Sequence, residues 1–445
     1  MNAPLTASRL TLKLGRGVDG SLKLVFLLIA LAIGESAVNG GRADCPPAIF
    51  AYSFTITRCE TLTEMVIAQV LTGEYPDGSL EVTVTSVPVG LTVSDVYNNG
   101  GDIVATVEAA CDAPIGTAAI GLAVASFEEE EPSTALAPAL IENEGAEPRR
   151  IRDEQPGIGS ILIYNLTTSS IVQPERQDTR INLTNIHPNR SVSVHLFWVD
   201  GETGQVADSI ICLTGNQTLS MLASDVDPGV TGFLVAIAVD GQTGMPIGFN
   251  YLLGDEQVKL ETGHEADLRA EAVRARESPA PAIPHGPIEA ELLFDGVHYQ
   301  QLPRTLAVSS LPSLEAGNQT MLIVNRLGGD FSTQVDPLGS IYGMAYDDQG
   351  VAYGFCARKA TGQFITPLGA GFPRTGLRID DIIPADRTGW MKIWATDDSP
   401  ILGAVLNYHP DTGSNAGAFT QGRLLHRLTR VGLARWIVPA YPARC

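Results

Sequence analysis

A stretch of this chain occurs twice. Residues 223–251 align without a gap on residues 380–408, 157 positions later. Thr231-Gly232-Phe233 falls on Thr388-Gly389-Trp390, Ala238 on Ala395, Asp240 on Asp397, and Asn250-Tyr251 on Asn407-Tyr408. A turn-strand-turn-strand frame used twice with different surfaces points to a duplicated β module. The rest of the chain fits that reading. Forty-five glycines and 28 prolines in 445 residues, with few long stretches of helical period, favour many short strands joined by turns. The length exceeds what one hydrophobic core organises, so several domains are expected.

The first 43 residues read as an export signal. Arg9, Lys13, Arg16 and Lys23 precede an apolar run at 24–33, and small residues lead to Ala43. That run is too short to span a bilayer comfortably, which takes about 20 apolar residues. No later segment has the length and apolarity to cross a membrane. Removing 1–43 takes away five basic side chains and two acidic ones. That leaves 24 basic against 48 acidic, a net charge of −24. So acidic a surface repels phosphate backbones and argues against nucleic acid as a partner. The expected location is secreted or in the cell envelope, where disulfides persist. All six cysteines lie beyond the signal. Cys59 with Cys111 and Cys356 with Cys445 are the expected pairs. Cys212, read as occupying the repeat position of Cys356, is expected to be a buried thiol.

The fold class that follows is all-β. An N-terminal immunoglobulin-like sandwich precedes two related, tandem-duplicated antiparallel sandwiches. Glu81–Thr85 and Asp102–Glu108 alternate on period two, as strands with one buried face do. Residues 88–94 and 98–101 supply turns between them. With Pro88-Val89-Gly90-Leu91-Thr92-Val93-Ser94 and Ala113-Pro114-Ile115-Gly116-Thr117, residues 45–126 resemble bacterial immunoglobulin-like repeats. The resemblance implies a spacer or adhesive module with no catalytic residues. Residues 127–156, rich in Glu, Pro and Ala, read as an extended linker. One sandwich is expected over 157–263, with strands at 160–164, 179–183, 193–199, 232–239 and 247–253. A second is expected over 290–445, with strands at 320–325 and 341–346. Between them, HEADLRAEAVRARE (264–277) reads as a helix with Leu268, Ala272 and Ala275 on one face, followed by a Pro-rich connection to 289. The two sandwiches resemble exported bacterial β-sandwich proteins of uncharacterised role, which adds no chemistry.

No recognisable catalytic or cofactor set is present. Gly15 to Gly20 satisfies GxGxxG but lies in the charged head of the signal, with no strand before it. Asp411-Thr412-Gly413 lacks the second carboxylate loop that an aspartic protease needs. There is no nucleophile elbow, HExxH or P-loop, and no cysteine–histidine cluster with zinc spacing. His195 alternates within a strand and reads as a structural residue. Trp198, Trp390, Trp394 and Trp436 suggest a sugar platform, but the match of Trp390 to Phe233 argues for core packing. The sequons at Asn165, Asn182, Asn189, Asn216 and Asn318 are read as coincidence.

Acidic turns hold the metal candidates. Asp200, Asp225, Asp227, Asp240 and Asp397 would serve calcium if their loops converged, although turn duty explains Asp there more readily. Three functions stay open. The leading one is a non-catalytic binding or spacer scaffold with a glycan or protein ligand. The others are a hydrolase using loop carboxylates and a calcium-stabilised adhesin.

Overall fold

The computed structural model describes residues 49–52, 54–70, 80–114, 116–126, 132–142, 157–276, 282–314, 317–359, 361–369, 379–395, 397, 399–409 and 420–443. The segment expected to be an export signal, Cys45, Cys445 and the Asp411-Thr412-Gly413 triplet lie outside them. Among the described residues no helix is long and apolar enough to cross a membrane. The fold is nearly all strand, in antiparallel-rich sheets, none closed into a barrel.

The first domain is built from β1 (Ile49–Ala51), β2 (Phe54–Thr57), β3 (Thr61–Val70), β4 (Leu80–Ser86), β5 (Leu91–Asn99), β6 (Asp102–Ala109), β7 (Gly116–Ser126) and β8 (Ser133–Glu142). Sheet β1-β3-β6-β5 faces sheet β2-β8-β7-β4 over a core that includes Ile56, Ile67, Val107, Ile120, Val124 and Ile141. β8 corrects the linker expectation. Ser133, Ala135, Ala137, Ala139 and Ile141 are buried on one side of a strand paired along β7. Small apolar residues on period two formed a strand there, and composition had hidden them. The turn expected over 88–94 is also shorter, because β5 begins at Leu91. The disulfide Cys59–Cys111 is present. Cys356 is disulfide-bonded too, and so is Cys212, which corrects its reading as a thiol.

The second domain runs through β9 (Ile158–Gly159), β10 (Ile161–Thr168), β11 (Asp178–Asn185), β12 (Val192–Asp200), β13 (Val206–Leu213), β14 (Gln217–Leu222), α1 (Ala223–Val226), β15 (Thr231–Val239), β16 (Leu252–Lys259), β17 (Glu265–Arg269) and β18 (Glu271–Val273). The helix expected over 264–277 is therefore β17 and β18. Ala266, Leu268 and Ala270 are buried while Glu265, Asp267 and Arg269 are exposed. That alternation fits a strand, and pairing with β16 outweighs the helix propensity of Ala, Glu and Arg.

The third domain adds β19 (Ala282–Pro284), β20 (Glu289–Leu293), β21 (Pro303–Pro312), β22 (Gln319–Arg326), β23 (Gly329–Asp330), β24 (Gln334–Val335), β25 (Gly339–Tyr346), β26 (Ala352–Lys359), β27 (Gln363–Pro367), α2 (Ile379–Ile382), β28 (Thr388–Ala395), β29 (Ile401–Tyr408), β30 (Thr420–Leu424), β31 (His426–Arg430) and β32 (Arg435–Pro439).

The two domains share one strand order. Sheet β13-β12-β15-β10-β18 corresponds to β26-β25-β28-β21-β31, and β14-β11-β16-β17 to β27-β22-β29-β30. The Thr-Gly-aromatic match has a steric basis. A Cβ on Gly232 would overlap the Val199 carbonyl oxygen across the strand pair, and one on Gly389 the Tyr346 carbonyl oxygen. The ungapped alignment fails after Asp240. β16 begins at Leu252, paired with Asn185, and β29 begins at Ile401, paired with Arg326. Leu252 therefore corresponds to Ile401, and Asn250-Tyr251 lies in a longer turn before its strand. Its match to Asn407-Tyr408 is accidental.

Outside these sandwiches, β19, β20, β32, β23 and β24 form a fifth sheet in this region. Ala290, Leu292, Phe294, Trp436 and Val438 of that sheet and its flanks pack on Phe197, Phe233, Val235 and Ile237. β15 is thus covered on both faces, which explains its unbroken apolar run. Trp390, at the place of Phe233, has no such cover. It is half-buried, stacked on Tyr346 with ring centroids 4.3 Å apart.

The sandwiches pack unequally. Ile323 and Ala404 of the third domain stand where the second has Asn182 and Asp255. The third-domain face is apolar and packs with Leu406 against Leu166, Val258 and Leu268. The second-domain face stays polar. A bulge in β10 between Tyr164 and Thr167 frees backbone groups at this junction. There Asn325 Nδ2 and Gln363 Nε2 donate to the Asn165 carbonyl at 3.0 and 3.1 Å. The first domain meets the third through Arg304, which donates to the Ala51 carbonyl at 2.9 Å, and through Lys392, 4.7 Å over the Phe50 ring.

Candidate functional site

β17, β18, β30 and β31 are each the last strand of their sheet, and all four line one groove of about 580 Å³. Its floor narrows where β30 crosses β17 at Gly422. A Cβ there would sit 2.8 Å from both the Asp267 carbonyl oxygen and a Leu268 methyl. Without a side chain at 422 the two edges approach closely.

The walls carry Arg269 and Arg274 from the second domain and Arg423, Arg427 and Arg430 from the third, with His426 at the rim. Among the described residues Glu271 is the one carboxylate in the lining, and its side chain is only 7% exposed. It pairs with Arg427 across the groove. Arg423 donates from Nη2 to the Ser310 carbonyl at 3.1 Å, while its Nε is buried without a partner. Among the described residues, Arg269 and Arg274 have no carboxylate within ion-pair distance. Asp255, the cross-strand neighbour of Arg269, is engaged by Asn182 Nδ2 at 2.7 Å.

Among the described residues the lining carries five guanidinium groups and one carboxylate, in a chain of net −21. Like charges held together in a half-enclosed cleft repel, and an incoming oxyanion relieves that repulsion. The planar guanidinium fork matches the paired oxygens of carboxylate, phosphate or sulfate. The volume falls within the range of ordinary ligand pockets. Among the described residues its lining offers no nucleophile–base pair.

Sequence reasoning passed over this site. Arg269 and Arg274 were assigned to a helix, and Arg423, Arg427 and Arg430 were not weighed. Three arginines within eight residues of an acidic chain were the available signal.

The metal candidates do not gather into one site, although Asp227 lies within electrostatic reach of Asp200. Asp200 closes the β12–β13 turn, accepting from the Glu202 N–H at 2.8 Å and the Thr203 hydroxyl at 2.7 Å. Asp240 does the same, accepting from the Thr243 N–H and hydroxyl at 2.9 Å, and these bonds hold its carboxyl below its usual range. Asp225 is exposed in α1. Asp227 caps α1 half-buried, where burial and the charge of Asp200 push its carboxyl upward. Asp397 pairs with Arg326 at 2.8 Å. Among the described residues, no three His, Cys, Asp or Glu side chains gather as metal ligands do. His195 is buried, its Nε2 2.7 Å from Asp208 Oδ2, and Tyr441 bonds to the same carboxylate. Burial lowers the affinity of this imidazole for a proton. The cluster fastens the C-terminal segment to the β12–β13 hairpin.

No protein-family model matches the chain, and no curated protein matches it. Among solved structures, tripeptidyl peptidase 2 (TPP II) aligns at 9% identity over 89% of this chain and 36% of that one. The TM-score is 0.17, so the likeness carries no argument. The chain spans about a third of that protein's length.

Proposed function

We propose that this chain is an exported, non-catalytic scaffold that holds an anionic ligand in the arginine-lined groove between its second and third domains. The first domain, with its immunoglobulin-like sequence pattern, serves as spacer. The second and third derive from a duplication whose copies diverged in surface. One observation carries the reading: five arginines converge on a cleft that contributes a single carboxylate, in a strongly acidic chain. Cations concentrated against the overall charge attract anions locally and leave the rest of the surface to repel other polyanions.

Titration calorimetry with inorganic phosphate, citrate and a sulfated disaccharide tests this on the full chain. Saturable binding is expected for at least one. It should weaken as salt rises and fall about tenfold or more in Arg269→Ala/Arg274→Ala, in line with the loss of charge-assisted bonds. Absence of saturable binding for all three, or affinity unchanged in the double variant, removes the proposal.

A further inference from the structure

Resting on that reading, we propose that the ligand is an acidic polypeptide segment in extended conformation, which adds as a strand along the groove. A groove for small anions needs only side chains. This one is lined by four terminal strands, β17, β18, β30 and β31. A terminal strand presents N–H and C=O groups that its own sheet leaves unpaired, and an extended peptide satisfies them. A polysaccharide has no matching ladder.

The far end of this edge is closed by the protein itself. Gln300 Oε1 accepts the Arg274 N–H at 2.9 Å, and the Gln300 N–H donates to the Arg274 carbonyl at 3.0 Å. Of residues 268–273 on this wall only Arg269 and Ala272 are not buried, and β30 closes on β17 at Leu268. The stretch within reach of a guest strand therefore runs from Arg269 to Ala272, with β31 on the other wall. At ~3.3 Å per residue that is roughly 13 Å, the core of a short extended peptide.

Glu271 gives the internal precedent. It is a glutamate on an edge strand whose carboxylate reaches Arg427 on the opposite wall. Leu428, next along β31, is half exposed. A guest strand alternating acidic and apolar residues places its carboxylates toward the arginines and its apolar side chains toward Leu428.

Calorimetry on the full chain tests this with three probes: an alternating Glu/Val hexapeptide, the same peptide N-methylated at alternate residues, and trigalacturonate. The hexapeptide is expected to bind, about tenfold weaker after methylation and about tenfold weaker again in Arg427→Ala. Arg427→Ala also breaks the pair with Glu271. Arg269→Ala/Arg274→Ala, which removes no ion pair, must show the same loss with an unchanged melting curve. Binding of trigalacturonate as tight as the peptide, or indifference to methylation, overturns the polypeptide assignment and leaves the anion groove standing. Peptide affinity equal in all the arginine variants overturns both.

Discussion

Glu256 Oε1 accepts the backbone N–H of Asn165 at 3.0 Å, joining two fully buried residues 91 positions apart. The same carboxyl receives the Leu166 N–H at 3.4 Å. The β10 bulge has taken both donors out of the sheet ladder. Asn325 and Gln363 serve the Asn165 carbonyl from the third domain, so the two sandwiches share one buried polar joint inside an apolar collar. Such a joint fixes register, because any slip leaves several groups unpaired at once.

Burial pushes the Glu256 carboxyl well above its usual range, against the pull of the two N–H bonds. A folded-state value above the unfolded one gives stability that is complete at low pH and lost as pH rises through the folded value. The unfolded carboxyl ionises first, near 4.5. Glu256→Gln is therefore expected to gain on the wild type progressively from about pH 5 upward, as measured by urea melts at pH 5, 7 and 8. Equal pH profiles would refute it. Glu256→Ala, which orphans both donors, is expected to cost about 2–4 kcal/mol near pH 5 and less as pH rises, because alanine does not titrate.

Gly422 sets the approach of β30 to β17. Gly422→Val is expected to spread the groove and destabilise the second and third domains by about 1–3 kcal/mol. The first domain's melting transition should stay in place. Calorimetric scanning separates the two, and a shift of both transitions together would speak against a local effect.

Cys59–Cys111 closes a loop with a sequence separation of 52 inside the first domain. The double alanine variant is expected to lose about 4 kcal/mol in the chain-entropy limit. The loss should be confined to the first domain's transition. A loss spread over the whole chain would show that the first domain does not melt as its own unit.

Asp240 works through its turn. Asp240→Ala is expected to cost about 1 kcal/mol through lost hydrogen bonds. Because those bonds hold its carboxyl below the unfolded value, its contribution is present above that value and fades as pH falls through the folded one. The cost should therefore shrink in acid and be the same with and without a calcium chelator. A cost that vanishes on chelation would return Asp240 to metal binding.

Much of this was readable before any coordinates. Period two in Glu81–Thr85 and Asp102–Glu108 marked strands because one face of each meets a core, and those strands are present. The Thr-Gly-aromatic match marked equivalent strands because only a glycine fits against the facing carbonyl. Residues 264–277 misled because their side chains favour a helix in isolation, while pairing along β16 decided the outcome. Asn250-Tyr251 misled because identity of two residues says nothing of a turn that differs in length. The groove was illegible for a further reason. Arg269 and Arg423 are 154 residues apart, and only the docking of two sheet edges brings them together.

From its residues alone, this protein's strand-rich character follows, and Cys59 with Cys111 stood among the expected pairs. Side-chain alternation, turn chemistry and local spacing are short-range properties written directly into the chain. Which faces are covered, which edges meet, and where the arginines converge were decided by the packing of one sandwich on another. Docking depends on the summed complementarity of whole surfaces, such as Ile323 and Ala404 where the sister domain has Asn182 and Asp255, and no local window of sequence contains that sum.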